Sequence, residues 1–376
     1  MNYSVYQHWD PLKVCMVGRS YAPEFYSFIK NSQARNVMER IAQETEEDYQ
    51  KLIKLLESFG VEIIRPTVHN DHEIYINKSG TIDPPPMTPR DYSIMIGNDF
   101  YFTTSDVLGR WDINKGSDWG QKPNNYEDVP NWIVDESYNV FGIDDFQFKK
   151  IAYYENLKFI EKNVNFASQD TQVNGSLVTR VGKDLYFGTD EDETQTEIEL
   201  LKKYSMMFPN NRCHIVDTQG HSDSSFCPVV PGLIVSLYDI QRYEKTFPGW
   251  EVVYLPAQSW TRVGSFMKLK EKNQGKWWVP GEELNDDFTD FVNQWLNHWM
   301  GYVEETVFDV NMLVIDEKNV VCNNYNEKVF RAFERYGVTP HVINFRHRYF
   351  WDGGLHCITS DLHREGTMKD YFPERG

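Results

Sequence analysis

The stretch Asp352-Gly353-Gly354-Leu355-His356-Cys357-Ile358-Thr359 delivers one cysteine behind a pair of glycines. Glycines permit backbone conformations and close approaches that a Cβ would forbid, so this cysteine is placed deliberately. Its chemistry would be nucleophilic attack as a thiolate, given a neighbour that lowers its pKa or takes its proton. The candidate partner is His221, within Gly220-His221-Ser222-Asp223-Ser224-Ser225-Phe226. The competing reading is a glycine turn ahead of a buried structural cysteine, since free cysteines are among the most buried residues.

Composition narrows the classes of function. A chain of 376 residues with 40% apolar and 15% aromatic content is globular rather than disordered. A formal charge of −18 argues against nucleic-acid binding, which needs clustered Lys and Arg. It suits solubility and mildly favours cationic ligands. Cys15, Cys213, Cys227, Cys322 and Cys357 are scattered, odd in number and without a CxxC pair, so neither a disulfide framework nor a zinc site is expected. His341, His347 and His363 match no common zinc spacing, and no metal or cofactor is expected. The N-terminus has no apolar signal-peptide core, and no run approaches the length of a membrane span. A cytoplasmic location, away from membranes, is the expectation.

The elements that must position the cysteine and histidine repeat along the chain. Gly97-Asn98-Asp99-Phe100-Tyr101-Phe102 recurs as Gly182-Lys183-Asp184-Leu185-Tyr186-Phe187, each after a short apolar run. These read as tight hairpins. A degenerate third copy spans 312–322. Alternating with them is a helix closed by Gly and followed by a strand: 36–58, Gly60 and 61–64; 198–204 with 213–216; 327–336, Gly337 and 341–345. A less regular version runs through Pro248-Gly249-Trp250 into 252–255. Repeated strand–hairpin–helix–strand units imply a closed α/β array in one domain, 1–376. Residues 259–300 stand apart as a Trp-rich insertion with a helix over 282–300. They read as core or interface packing, with a binding lid as the sharper alternative.

The order of several motifs carries a resemblance. These are Trp9-Asp10-Pro11-Leu12, Val17-Gly18-Arg19, Met87-Thr88-Pro89-Arg90-Asp91, Arg180-Val181-Gly182-Lys183-Asp184, His221-Ser222-Asp223, Asp316-Glu317-Lys318 and Gly353-Gly354-Leu355-His356-Cys357. The chain resembles the glycine amidinotransferase branch of the guanidino-group modifying, or pentein, superfamily. The resemblance implies a five-bladed α/β propeller of pseudo-fivefold symmetry. It implies amidino transfer from arginine or a related guanidino donor to a glycine-like amine through an amidino-cysteine at Cys357. His221 would serve as acid and then base, and Asp91 and Asp223 would clamp the planar guanidinium. A homodimer is compatible with it.

Three departures from the family stand out. Asn174 occupies the position where the family has an Asp behind the catalytic His; Asp170 is the alternative. The family's carboxylate-binding arginine falls on Ile240, with Arg242 two residues on. A family serine pair is replaced by Glu304 and Glu305, which would repel a carboxylate and welcome an amine. His356, if on a strand beside Cys357, would face away and be structural. Two rival functions share these residues: a guanidino hydrolase in which water resolves the intermediate, and a non-catalytic guanidinium-binding protein.

Overall fold

The computed structural model describes residues 3–66, 68, 84–102, 165–166, 173–189, 197–218, 221–237, 243–255, 277–296 and 307–376. Strand β1 (Leu12–Val17) pairs in parallel with β2 (Glu62–Ile64) after the long helix α1 (Ser32–Ser58). A short turn of helix, α2 (Pro89–Tyr92), leads into β3 (Ser93–Ile96), β4 (Asp99–Phe102) and β5 (Asn165–Phe166). Then come β6 (Val178–Val181), β7 (Asp184–Thr189), α3 (Glu197–Met207) and β8 (Arg212–Asp217). The next unit is β9 (Phe226–Val230), β10 (Leu233–Ser236), α4 (Tyr243–Thr246) and β11 (Glu251–Tyr254).

Helices α5 (Asp286–Trp295) and α6 (Val307–Val310) precede β12 (Leu313–Asp316), β13 (Asn319–Cys322), α7 (Glu327–Tyr336) and β14 (Thr339–Val342). Finally α8 (Arg348–Trp351) leads through the Gly-Gly segment to β15 (Thr359–Arg364).

Among the described residues these strands make five three-stranded sheets with one shared plan. In each, a first strand lies antiparallel to the middle one, and the third lies parallel to it. The first blade takes its first strand from the far end of the chain: β15 pairs with β1, Leu12 opposite Arg364 and Val17 opposite Thr359. The ring is therefore closed by pairing the first and last strands, and this is the five-bladed propeller that the family resemblance implies. The hairpin glycines Gly97 and Gly182 have φ of 60° and 64°, the left-handed conformation such turns require.

Two boundaries differ from expectation. The strand after Gly337 begins at Thr339 rather than 341, because Thr339 N already donates to Lys318 O as the parallel ladder starts. The helix of the insertion starts at Asp286, where the Asn285 side chain accepts from Phe288 N as an N-cap. The described part of this insertion is packed inward. Trp277, Phe288, Phe291, Val292 and Trp295 are buried with residues of α1 and with Phe350. Trp260 and Trp299 lie outside the described residues. So do Asp170, Arg242, Glu304 and Glu305. No described helix is long and apolar enough to cross a membrane.

Candidate active site

Residues that could do chemistry collect just ahead of the blades' first strands. Asp91 precedes β3 by two residues, Asn311 precedes β12 by two, and Cys357 precedes β15 by two. Asp223 lies in the single 3-10 turn Ser222–Ser224 ahead of β9, and Asn174 caps the 3-10 turn Gly175–Leu177 ahead of β6. The pseudo-fivefold plan thus supplies one polar position per blade.

Asp91 owes its aim to the turn of helix Pro89–Tyr92. Successive residues on a helix diverge, so Arg90 and Asp91 go different ways. Arg90 is fully buried and turns inward: its Nε donates to His356 O (3.1 Å) and Thr359 O (3.0 Å), and Nη2 to Asp361 (2.9 Å). Asp91 lies beside the imidazole of His221, with Oδ1 3.8 Å from Nδ1. That same Oδ1 is buried and accepts no hydrogen bond.

The cysteine segment is a turn, not a strand. Asp352 takes a left-handed φ of 51°, Ile358 N donates to Gly354 O, and β15 starts only at Thr359. This overturns the expectation that His356 faces away from Cys357. Both converge on one atom: His356 Nδ1 lies 2.8 Å and Cys357 Sγ 3.4 Å from Asp223 Oδ2. Burial, then Arg90 and His8, hold the His356 imidazole well below its ordinary pKa. A neutral ring can donate its Nδ1–H to Asp223 Oδ2 when that carboxyl is ionised. The other Asp223 oxygen, Oδ1, is buried without a hydrogen-bond partner.

Asn311 was not singled out from the sequence. It is fully buried, and its side chain ties the site together. Oδ1 accepts from His356 N (2.9 Å) and Cys357 N (3.1 Å), while Nδ2 donates to Asp223 O (3.1 Å) and Cys357 Sγ (3.0 Å). Gly354 makes this contact possible, because a Cβ there would lie 2.6 Å from Asn311 Oδ1. The available signal was positional: Asn311 opens the degenerate hairpin repeat at 312–322.

Asn174 is not brought to the histidine. Its Oδ1 accepts from Ser176 N (2.9 Å) and Ser176 Oγ (2.6 Å), so it works as a local cap. Among the described residues no hydrogen bond joins it to His221, and the acid beside that ring is Asp91. The two turns are linked instead by Ser222 Oγ donating to Leu177 O (2.8 Å).

The electrostatics are those of a site short of positive charge. Burial, and then the like charge of Asp91, push the Asp223 carboxyl up to about 7. Burial, then Asp223 and Asp91, push the Cys357 thiol well above its ordinary value. A cation between the acids would reverse both shifts.

Several known proteins resemble the chain over most of its length. No protein-family model matches the chain. The mitochondrial glycine amidinotransferase of Xenopus laevis is 22% identical over 406 residues, covering 98% of this chain and 84% of that protein. An L-arginine:L-lysine amidinotransferase of Pseudomonas savastanoi pv. phaseolicola is 22% identical over 345 residues, covering 85% and 78%. Among solved structures, an amidinotransferase from Microseira wollei in a saxitoxin biosynthetic pathway superposes with a TM-score of 0.61 at 17% identity, over 98% of this chain and 99% of that one. The inosamine-phosphate amidinotransferase of Streptomyces griseus gives 0.60 at 16% identity, over the same shares. The chain has the pentein fold of these two amidinotransferases. In this fold Cys357, Asp91 and the His221–Asp223 pair sit on the loops that enter three different blades, so the ring itself sets their spacing.

Proposed function

We propose that this protein transfers an amidino group from a guanidino donor, arginine or a relative of it, to an amine acceptor through a covalent intermediate on Cys357. The observation that carries the reading is the pair of buried, unpartnered carboxylate oxygens, Asp91 Oδ1 and Asp223 Oδ1, beside a hydrogen-bonded cysteine sulfur. Unpaired buried carboxylates are costly, and a planar cation with paired N–H donors is their natural complement.

The donor also activates the nucleophile. A unit charge at about 4 Å is worth about 4 kcal/mol at an effective dielectric of about 20, or about three pH units. A bound guanidinium therefore favours the thiolate over the thiol. The thiol proton passes to His221, and the thiolate attacks the guanidinium carbon, forming a C–S bond and a tetrahedral adduct. The bond to the donor nitrogen then breaks, and His221 supplies the proton that lets it leave as a neutral amine. The remaining amidino-cysteine is again planar and cationic, and the same acids hold it. An acceptor amine enters, attacks the same carbon, gives its proton to His221 and expels the thiolate. No redox partner or metal takes part in the balance.

The family resemblance assigns the donor's far end to the sequence positions near 240 and 304–305. Glu304 and Glu305 would disfavour a carboxylate, so agmatine should compete well with arginine as donor, with Arg242 the nearest alternative anchor. A donor–acceptor screen with mass detection of products tests the whole reading. A guanidino product on the acceptor supports it. Ammonia with a ureido product would replace it with hydrolysis. Binding without turnover or adduct would reduce the protein to a guanidinium binder.

A further inference from the structure

We propose that Asn311 is a catalytic residue of this site, whose Nδ2–H holds the Cys357 sulfur as an anion while its other three hydrogen bonds lock the nucleophile to Asp223. The inference rests on Cys357 being the nucleophile.

The orientation of the amide follows from its partners. Oδ1 faces two backbone N–H groups, those of His356 and Cys357, and Nδ2 faces the carbonyl oxygen of Asp223. A flipped amide would set its NH2 against two donors and its oxygen against a carbonyl, losing three hydrogen bonds at once in a buried place. The group 3.0 Å from Sγ is therefore an N–H. A donor at that distance favours the deprotonated sulfur.

The sulfur stands between two unlike neighbours. Asp223 Oδ2, at 3.4 Å, accepts the thiol proton in the resting state. Asn311 donates whether or not that proton is present. Asn323 Nδ2 in turn donates to Asn311 O (3.2 Å), and Asn311 has no accessible surface, so the donor is held rigidly.

A neutral amide is the right chemistry here. Lys, Arg or imidazolium beside the sulfur would stabilise a thiolate more strongly, but each would neutralise Asp91 and Asp223 and repel the cation those acids hold. An uncharged donor stabilises the anion and leaves the acids for the substrate. By tying Cys357 N, Cys357 Sγ and Asp223 O to one side chain, it also fixes the distance between nucleophile and clamp.

The test is the pH dependence of Cys357 alkylation by iodoacetamide, read by peptide mass spectrometry without any guanidino compound. Asn311→Asp keeps an oxygen for the two backbone donors and replaces the N–H facing sulfur with a second carboxylate oxygen. Asn311→Ser shortens the side chain and withdraws the donor. For Asn311→Asp the alkylation midpoint should rise by at least about one pH unit, with roughly tenfold slower labelling at a fixed pH below it. Asn311→Ser should give a smaller rise. Variants that fold and label along the wild-type profile would overturn the proposal.

If neither variant folds, the wild-type protein decides. An Asn side-chain amide signal in ¹⁵N-labelled protein must titrate in step with Cys357 alkylation and cease to titrate in Cys357→Ser. The absence of such a signal also overturns it. Because the alkylation needs no amidino donor, a shift in the variants together with no transfer in the screen would refute the transfer reading alone.

Discussion

Two buried carboxylates lie close together in this molecule and are treated in opposite ways. Asp361, four residues past Cys357, is surrounded by three buried guanidinium groups. Arg180 Nη2 donates to both its oxygens (2.7 and 2.8 Å), Arg90 Nη2 to Oδ1 (2.9 Å) and Arg364 Nε to Oδ2 (2.6 Å). Asp223 has a neutral imidazole, a thiol and one bare oxygen. The Asp361 carboxyl is held well below its ordinary pKa chiefly by Arg180, Arg90 and Arg364 working against burial; Asp223 is pushed up to about 7. At the hub the protein supplies its own guanidinium groups. At the site the structure leaves that place to a guest. Arg90 links the two, since the guanidinium that pairs with Asp361 also holds the carbonyl oxygens of His356 and Thr359 on either side of the cysteine turn. A cluster whose carboxylate is paired on both oxygens braces one whose carboxylate is not.

The contrast can be broken most severely at the hub. Asp361→Asn leaves three buried cations without a counter-charge and should cost about 3–5 kcal/mol, read as a lower urea midpoint or as failure to fold. Asp223→Asn should behave oppositely. It removes a buried carboxylate with an unpaired oxygen, so the urea midpoint at pH 8 should hold or rise. Labelling of Cys357 by a guanidino donor should fall by about a hundredfold, from the loss of charged hydrogen bonds of about 1.5–3 kcal/mol each.

The pH dependence sharpens the same contrast. Asp361 has a lowered folded pKa, so its stabilisation is present above the ordinary 3.8 and is lost only as pH falls through a lower value. Asp223 has a raised one: its contribution is fullest below 3.8 and is lost as pH rises through about 7. Donor affinity should follow the ionised Asp223, weakening by up to about tenfold per pH unit below that midpoint. Calorimetry in buffers of different ionisation enthalpy should show protons released on binding there. Last and smallest, His356→Gln removes the ring donor to Asp223 and should weaken donor binding by about tenfold with little change in the urea midpoint.

The parts of this arrangement that were legible in the sequence are those that leave a local mark. Gly97, Gly182 and Gly337 punctuate the blades because turns with positive φ leave little choice, and a closed array of repeated units followed from them, with the count of five supplied by the family resemblance. Cys357 and Asp223 announced themselves through unusual neighbours. What stayed hidden depends on long-range closure. Asn311 is a neutral residue before an apolar strand, and its role exists only because β15 returns to pair with β1. Arg90 stood in the sequence only as part of the Met87–Asp91 motif, yet it is a hub residue. His356 was misjudged because alternation along a strand was applied to a segment that is a turn. Asn174 was placed by counting from Gly182, and the count located the loop but not the group beside the imidazole.

The most direct test of the account is mass spectrometry of the Cys357 peptide after brief mixing with arginine or agmatine and acid quenching. The account predicts an added amidino group on Cys357 in the wild-type protein, absent in Cys357→Ser and strongly reduced in Asp223→Asn. A folded wild-type protein that binds the donor and never carries the adduct would contradict it.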